Sequence, residues 1–182
     1  MKTLLFLLFT LTVLHAEDHW PAKPYAHVVA YCYDFTKDPR GTSIIFKDGT
    51  HHAGIIAPFT LLLDAKQRSK LDTLLNTPFK GVPGDVDCYD PHHAFVFYDA
   101  KWKPIAWIDI CFLCDNFSAV PNLPNAPIDL PRLERFVREL SLPFFESEAA
   151  YQELFSQHHT LTPKAPRPAS DEVDPFAPPV SQ

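Results

Sequence analysis

Residues 88–114 read CYDPHHAFVFYDAKWKPIAWIDICFLC, and this stretch decides the fold. Two runs rich in aromatic and β-branched residues flank a short polar turn, the pattern of a β-hairpin. A loop of two or four residues centred in Ala100–Lys103 pairs Tyr98 with Ile105, Val96 with Trp107, Ala94 with Asp109 and His92 with Cys111. A three-residue loop slips the pairing by one, and side chains then change faces. In the first register one face carries Phe95, Phe97, Ala106, Ile108 and Ile110, apolar throughout and therefore the core face. The other carries His92, Ala94, Val96, Tyr98, Ile105, Trp107, Asp109 and Cys111, with its polar groups gathered at the cysteine end.

Cys88, Cys111 and Cys114 meet at that end, with His92 and His93 on the first arm. Four chemistries fit. Zinc takes four sulfur or nitrogen ligands in a tetrahedron, and a Cys-x2-Cys pair grips one ion, so Cys88, His92, Cys111 and Cys114 form a Cys3His candidate. Cys111 and Cys114 also have the spacing of a redox pair, although a helix N-terminus that would lower one thiol pKa is missing from the pattern. Cys111, His92 and Asp109 share a face as nucleophile, base and orienter. The plainest reading is structural. Disulfides drawn from Cys32, Cys88, Cys111 and Cys114 would join Cys88 to Cys111 or Cys114, with Cys32 pairing the remainder or staying a small buried hydrophobe.

Upstream, His27–Phe35 reads as a strand, Lys37–Gly41 as a turn, and Thr42–Phe46 with Thr50–Ile56 as a hairpin about Asp48-Gly49, closed by Pro58. Neighbouring histidines on a strand face opposite ways, so His51 and His52 read as exposed hairpin residues. Asp64 and Gln67 form a capping box, and Leu71, Leu74 and Leu75 continue a helical stripe to Asn76. A loop follows over 80–87.

Downstream, residues 116–127 read as a proline-studded connector. Asp129 caps a second helix that tolerates Pro131 in its first turn and ends before Pro143. A third short helix carries Tyr151, Leu154 and Phe155 on one side. From His158 the chain turns polar, acidic and proline-rich and is expected to be disordered. The fold class is α+β: one domain over 17–157, a small antiparallel sheet of hairpins with two to three helices on one face.

Residues 1–16 resemble a secretory signal: Lys2, an apolar run Leu4–Leu14 too short to span a bilayer, and Ala16 before Glu17-Asp18. The chain of 182 residues carries a formal charge of −6, which argues against a nucleic-acid surface. No phosphate-binding glycine loop, zinc-protease helix or serine-hydrolase elbow occurs. The expectation is an exported, non-enzymatic binding or assembly module, periplasmic or extracellular. It has no membrane span once the leader is removed, and its partner is left open, with a protein the candidate. No cofactor is favoured, and zinc is the alternative.

Overall fold

The computed structural model describes residues 19–81, 88–124 and 127–159. Residues 1–16, read above as a leader, most of the 80–87 loop and nearly all of the segment expected to be a disordered tail lie outside the described residues. Five strands form one antiparallel sheet: β1 (His27–Tyr33), β2 (Ile55–Leu62), β3 (His93–Tyr98), β4 (Pro104–Cys111) and β5 (Asn116–Val120). Their order across the sheet is β2-β1-β3-β4-β5. Among the described residues three α-helices accompany it: α1 (Ala65–Asn76), α2 (Leu130–Glu139) and α3 (Glu148–His158). This is the expected α+β architecture.

The central hairpin forms because alternate residues of β3 and β4 are apolar on the helix side. Phe95, Phe97, Ala106, Ile108 and Ile110 pack with Leu71, Leu75, Leu133, Phe136 and Val137 from α1 and α2. Each large side chain fully withdrawn from water contributes about 1.5–3 kcal/mol. The pairings Ala94 with Asp109 and Val96 with Trp107 are as expected. The turn differs. Asp99 N–H donates to the Lys103 carbonyl across a three-residue loop, and Trp102 adopts φ 61°. Tyr98 therefore pairs with Pro104. A bulge follows at once, so that Phe97 meets Ala106. The two one-residue offsets cancel. Ile105, the extra residue, packs with the helix-side core and not on the opposite face where plain alternation places it.

Both helix starts follow from their sequence. The Asp64 carboxylate accepts from Gln67 N–H, and the Gln67 side chain accepts from Asp64 N–H. Asp129 accepts from Arg132 N–H at the head of α2. Helix α3 lies against β2, where Tyr151 joins Cys32 and Ile56 in a small separate cluster.

Three expectations need correction. The Thr42–Phe46/Thr50–Ile56 hairpin shrinks to one bridge, Ile45 with His51, around the Asp48-Gly49 turn. Polar side chains in this segment take up backbone groups that a ladder would otherwise pair: Asp38 alone accepts from Arg40 N–H and Ala53 N–H. Pro58 does not close the unit. It lies inside β2, an edge strand, between the pairs Tyr33–Ile55 and Tyr31–Thr60 where the register shifts. Finally, the connector over 116–127 begins with a strand, β5, which pairs with β4 from Asn116 to Val120.

The second face of the sheet is not left to solvent. The chain leaves β1 at Asp34, runs out and returns at Gly54, where Asp34 N–H donates to the Gly54 carbonyl. Ile44 and Ile45 of this excursion bury against Val29, Tyr31, Tyr33, Ala94, Val96 and Tyr98. The helices occupy one face, and the 34–54 excursion covers the other.

Candidate functional site: the three-cysteine end of the sheet

Cys111 is the last residue of β4. Residues 112–115 make the tight connection to β5, with Asp115 at φ 47°. Cys114 lies in that turn. Cys88 approaches from the chain leading into β3, where its carbonyl accepts from the Asn116 side chain at 3.5 Å. The result is a Cys88–Cys114 disulfide with a Cα–Cα distance of 5.8 Å. Cys111 carries a free thiol beside it, and the three sulfurs lie within 4.8 Å of one another. Burial pushes the Cys111 thiol pKa up, against the pull of the nearby backbone of Asp90, Cys114 and Leu113.

Of the sequence candidates, the structure brings these three cysteines together and leaves the fourth apart. Cys32 is a buried free thiol packed with Ile56 and Tyr151. Burial raises its pKa far above the ordinary thiol value. It acts as the small hydrophobe of the alternative reading and pairs with no other cysteine.

His92 is not a member of the three-sulfur group. Its Nδ1 donates to the Tyr33 carbonyl at 3.1 Å, which leaves Nε2 as the unprotonated nitrogen of the neutral ring. That Nε2 is buried without a partner among the described residues. The ring lies on Tyr151 with centroids 3.8 Å apart. Burial lowers its pKa. His93 faces the helix side, donates from Nε2 to the Pro143 carbonyl at 2.8 Å and contacts Phe144 and Tyr151. Its complete burial pushes the pKa down to about 4.

Asp109 bonds with neither His92 nor His93 among the described residues. Its carboxylate accepts from Ile44 N–H at 2.9 Å, from the Ser43 hydroxyl at 3.1 Å and from the Tyr33 hydroxyl at 3.4 Å. Trp107 Nε1 donates to the same Ser43 hydroxyl. Burial raises the Asp109 pKa to about 7 against the pull of these donors. The carboxylate is thus the pin that fastens the 34–54 excursion to the sheet. The signal for this was a lone carboxylate among apolar residues in a central strand, but its partners lie over 60 positions upstream.

His51 is exposed as expected, with its Nε2 2.7 Å from the Tyr98 hydroxyl. His52 is buried, contrary to expectation. Its Nε2 donates to the Gly41 carbonyl at 3.0 Å and its Nδ1 accepts from Gly54 N–H at 2.9 Å, so both ring nitrogens are satisfied inside the excursion.

Comparison with known proteins finds no family, no curated protein and no solved structure that matches this chain. Among the described residues no helix is long and apolar enough to cross a membrane.

Proposed function

We propose that this chain is an exported, non-enzymatic binding or assembly module whose functional end is held rigid by the Cys88–Cys114 bridge. The observation that carries the reading is that bridge, which ties the entry of β3 to the β4–β5 turn across 26 positions of sequence. Disulfides persist in oxidising compartments, and the leader-like residues 1–16 point the same way. The side chains nearest to a catalytic pattern are engaged in holding the fold: His92 bonds the Tyr33 carbonyl, and Asp109 bonds Ser43 and Ile44. The bridged turn presents Leu113, 45% exposed, beside a buried Cys114. A small apolar contact on a braced turn suits recognition of a protein partner.

The test is the intact mass of the protein purified from an exported preparation without reductant or added metal, followed by alkylation after unfolding and peptide mapping. The reading expects a leader-less chain with Cys88 and Cys114 in one cross-linked pair and alkylated Cys32 and Cys111. Fully reduced cysteines in the exported protein would sink it.

A further inference from the structure

We propose that the reduced form of this chain holds one soft metal cation in a three-thiolate site made by Cys88, Cys111 and Cys114, and that monovalent copper is the ion these three sulfurs satisfy. This goes beyond the bridged module, because it concerns the state in which the bridge is open.

The first observation is convergence. A structural staple needs two sulfurs, yet three lie within 4.8 Å of one another. Cys111 and Cys114 are buried beneath the surface of the turn. The second observation is the shape of the turn. Cys111 ends β4 and Cys114 lies in the four-residue connection to β5, so one short loop supplies two of the three sulfurs, the Cys-x2-Cys spacing that lets two thiolates grip one ion. Residue 115 in the left-handed region completes this loop.

Ligand number selects the ion. Thiolates favour copper(I) and zinc. Zinc needs a fourth ligand, and the sequence candidate for it, His92, stands outside the three-sulfur group. Three thiolates complete the trigonal coordination of copper(I). Opening the site takes two electrons and two protons. A dithiol reductant supplies them to the Cys88–Cys114 bond and leaves as its own disulfide. Copper(I) then displaces three thiol protons to solvent and forms three Cu–S bonds with no change in its oxidation state.

The experiment uses the full leader-less chain, reduced with a phosphine and kept free of oxygen, in competition with bicinchoninate for copper(I). One equivalent withheld from the chelator by the reduced chain, and none by the oxidised chain, is the expected result. Cys111→Ser, close to isosteric and checked for its fold by circular dichroism, is expected to weaken retention at least about tenfold. Cys32→Ala is expected to leave it unchanged. X-ray absorption of the loaded wild-type chain is expected to show three sulfur neighbours, a readout that does not depend on any variant folding. Undiminished retention by Cys111→Ser, or two sulfur neighbours, overturns the assignment. A parallel titration with zinc against a chromophoric chelator is a further arm. Tight one-to-one zinc binding that is lost in His92→Gln would assign the site to a four-ligand ion and overturn the three-coordinate proposal. Whether the exported protein carries the bridge is decided separately by its mass, so failure of either reading is distinguishable from failure of the other.

Discussion

The ring of His92 lies flat on the ring of Tyr151, with planes 6° from parallel. One residue leads into the central strand β3 and the other belongs to α3, so this stack fastens the last helix to the sheet. The Tyr151 hydroxyl also accepts from Phe145 N–H at 3.1 Å, in the segment that leads into α3. Tyr151→Phe keeps the stack and loses that hydrogen bond, and is expected to cost about 1 kcal/mol. Tyr151→Ala loses both and opens a cavity, for about 3–5 kcal/mol. Urea unfolding of the two variants checks the order. Equal losses would mean that the stack contributes nothing.

His93 is buried against Phe112, Phe144 and Tyr151, bonded to the Pro143 carbonyl, with Arg138 and His92 the charged and titratable groups acting on it. Its folded pKa is lowered to about 4 from an ordinary value of 6.5. A depressed histidine favours the folded state while neutral. Its contribution is therefore complete above pH 6.5 and is lost as pH falls toward about 4, a change of about 3 kcal/mol. His92 and His52, also lowered by burial, act in the same direction. Asp109, raised to about 7 by burial, acts in the opposite direction over the same range, so the His93 contribution is read as a difference: between pH 7 and 4.5 the wild type is expected to lose stability relative to His93→Gln. An unchanged slope in that variant counts against the assignment to His93.

Removing the bridge is expected to weaken the fold without dissolving it. Closing a loop of this length contributes about 3 kcal/mol by restricting the unfolded chain. The Cys88→Ser/Cys114→Ser double variant is expected to lose about that amount in chemical denaturation while keeping the native circular dichroism of the sheet, whose helix-side core is independent of the bridge.

Asp109→Ala removes the acceptor for Ile44 N–H and the Ser43 hydroxyl. The orphaned amide lies in the interior, so the loss is expected to be about 2–3 kcal/mol. Hydrogen exchange distinguishes this from general destabilisation. Amides over 42–45 are expected to lose protection first, while those of β3 keep theirs.

Gly54 is a position where space alone forbids a side chain. A Cβ there would lie 1.9 Å from the Asp34 carbonyl oxygen, an atom of the backbone with little freedom to move. Gly54→Ala is expected to destabilise by about 2 kcal/mol or more. A melting temperature equal to that of the wild type would show that the return of the excursion relaxes freely.

Local signals carried much of this architecture. Asp64 and Gln67 announced the head of α1, and the alternation of Phe95, Phe97, Ile108 and Ile110 announced the buried side of the hairpin, because both depend only on neighbours in sequence. Long-range partnerships were not legible. Asp109 finds its donors at Ser43 and Ile44, and nothing in either segment names the other. Strand β5 was hidden by its length and by Pro121, Pro124 and Pro127 beyond it. At the site, the spacing singled out the three cysteines. The orientation of His92 is set by the Tyr33 carbonyl and by Tyr151 from another element, and so was open until the tertiary structure placed both.

The bulge at Ile105 marks a place where the hairpin can change length. All pairs from Phe97 with Ala106 to His93 with Ile110 lie on the far side of it, and Tyr98 with Pro104 lies on the near side. Deleting Ile105 would merge these two sets into one continuous ladder and sacrifice a single half-buried side chain. Deleting any residue from Ala106 to Ile110 would invert every side chain between the cut and the bulge, and so exchange core for surface. Within the paired length of β4 a deletion therefore has one permitted address, fixed by backbone geometry and independent of what the cysteine end does.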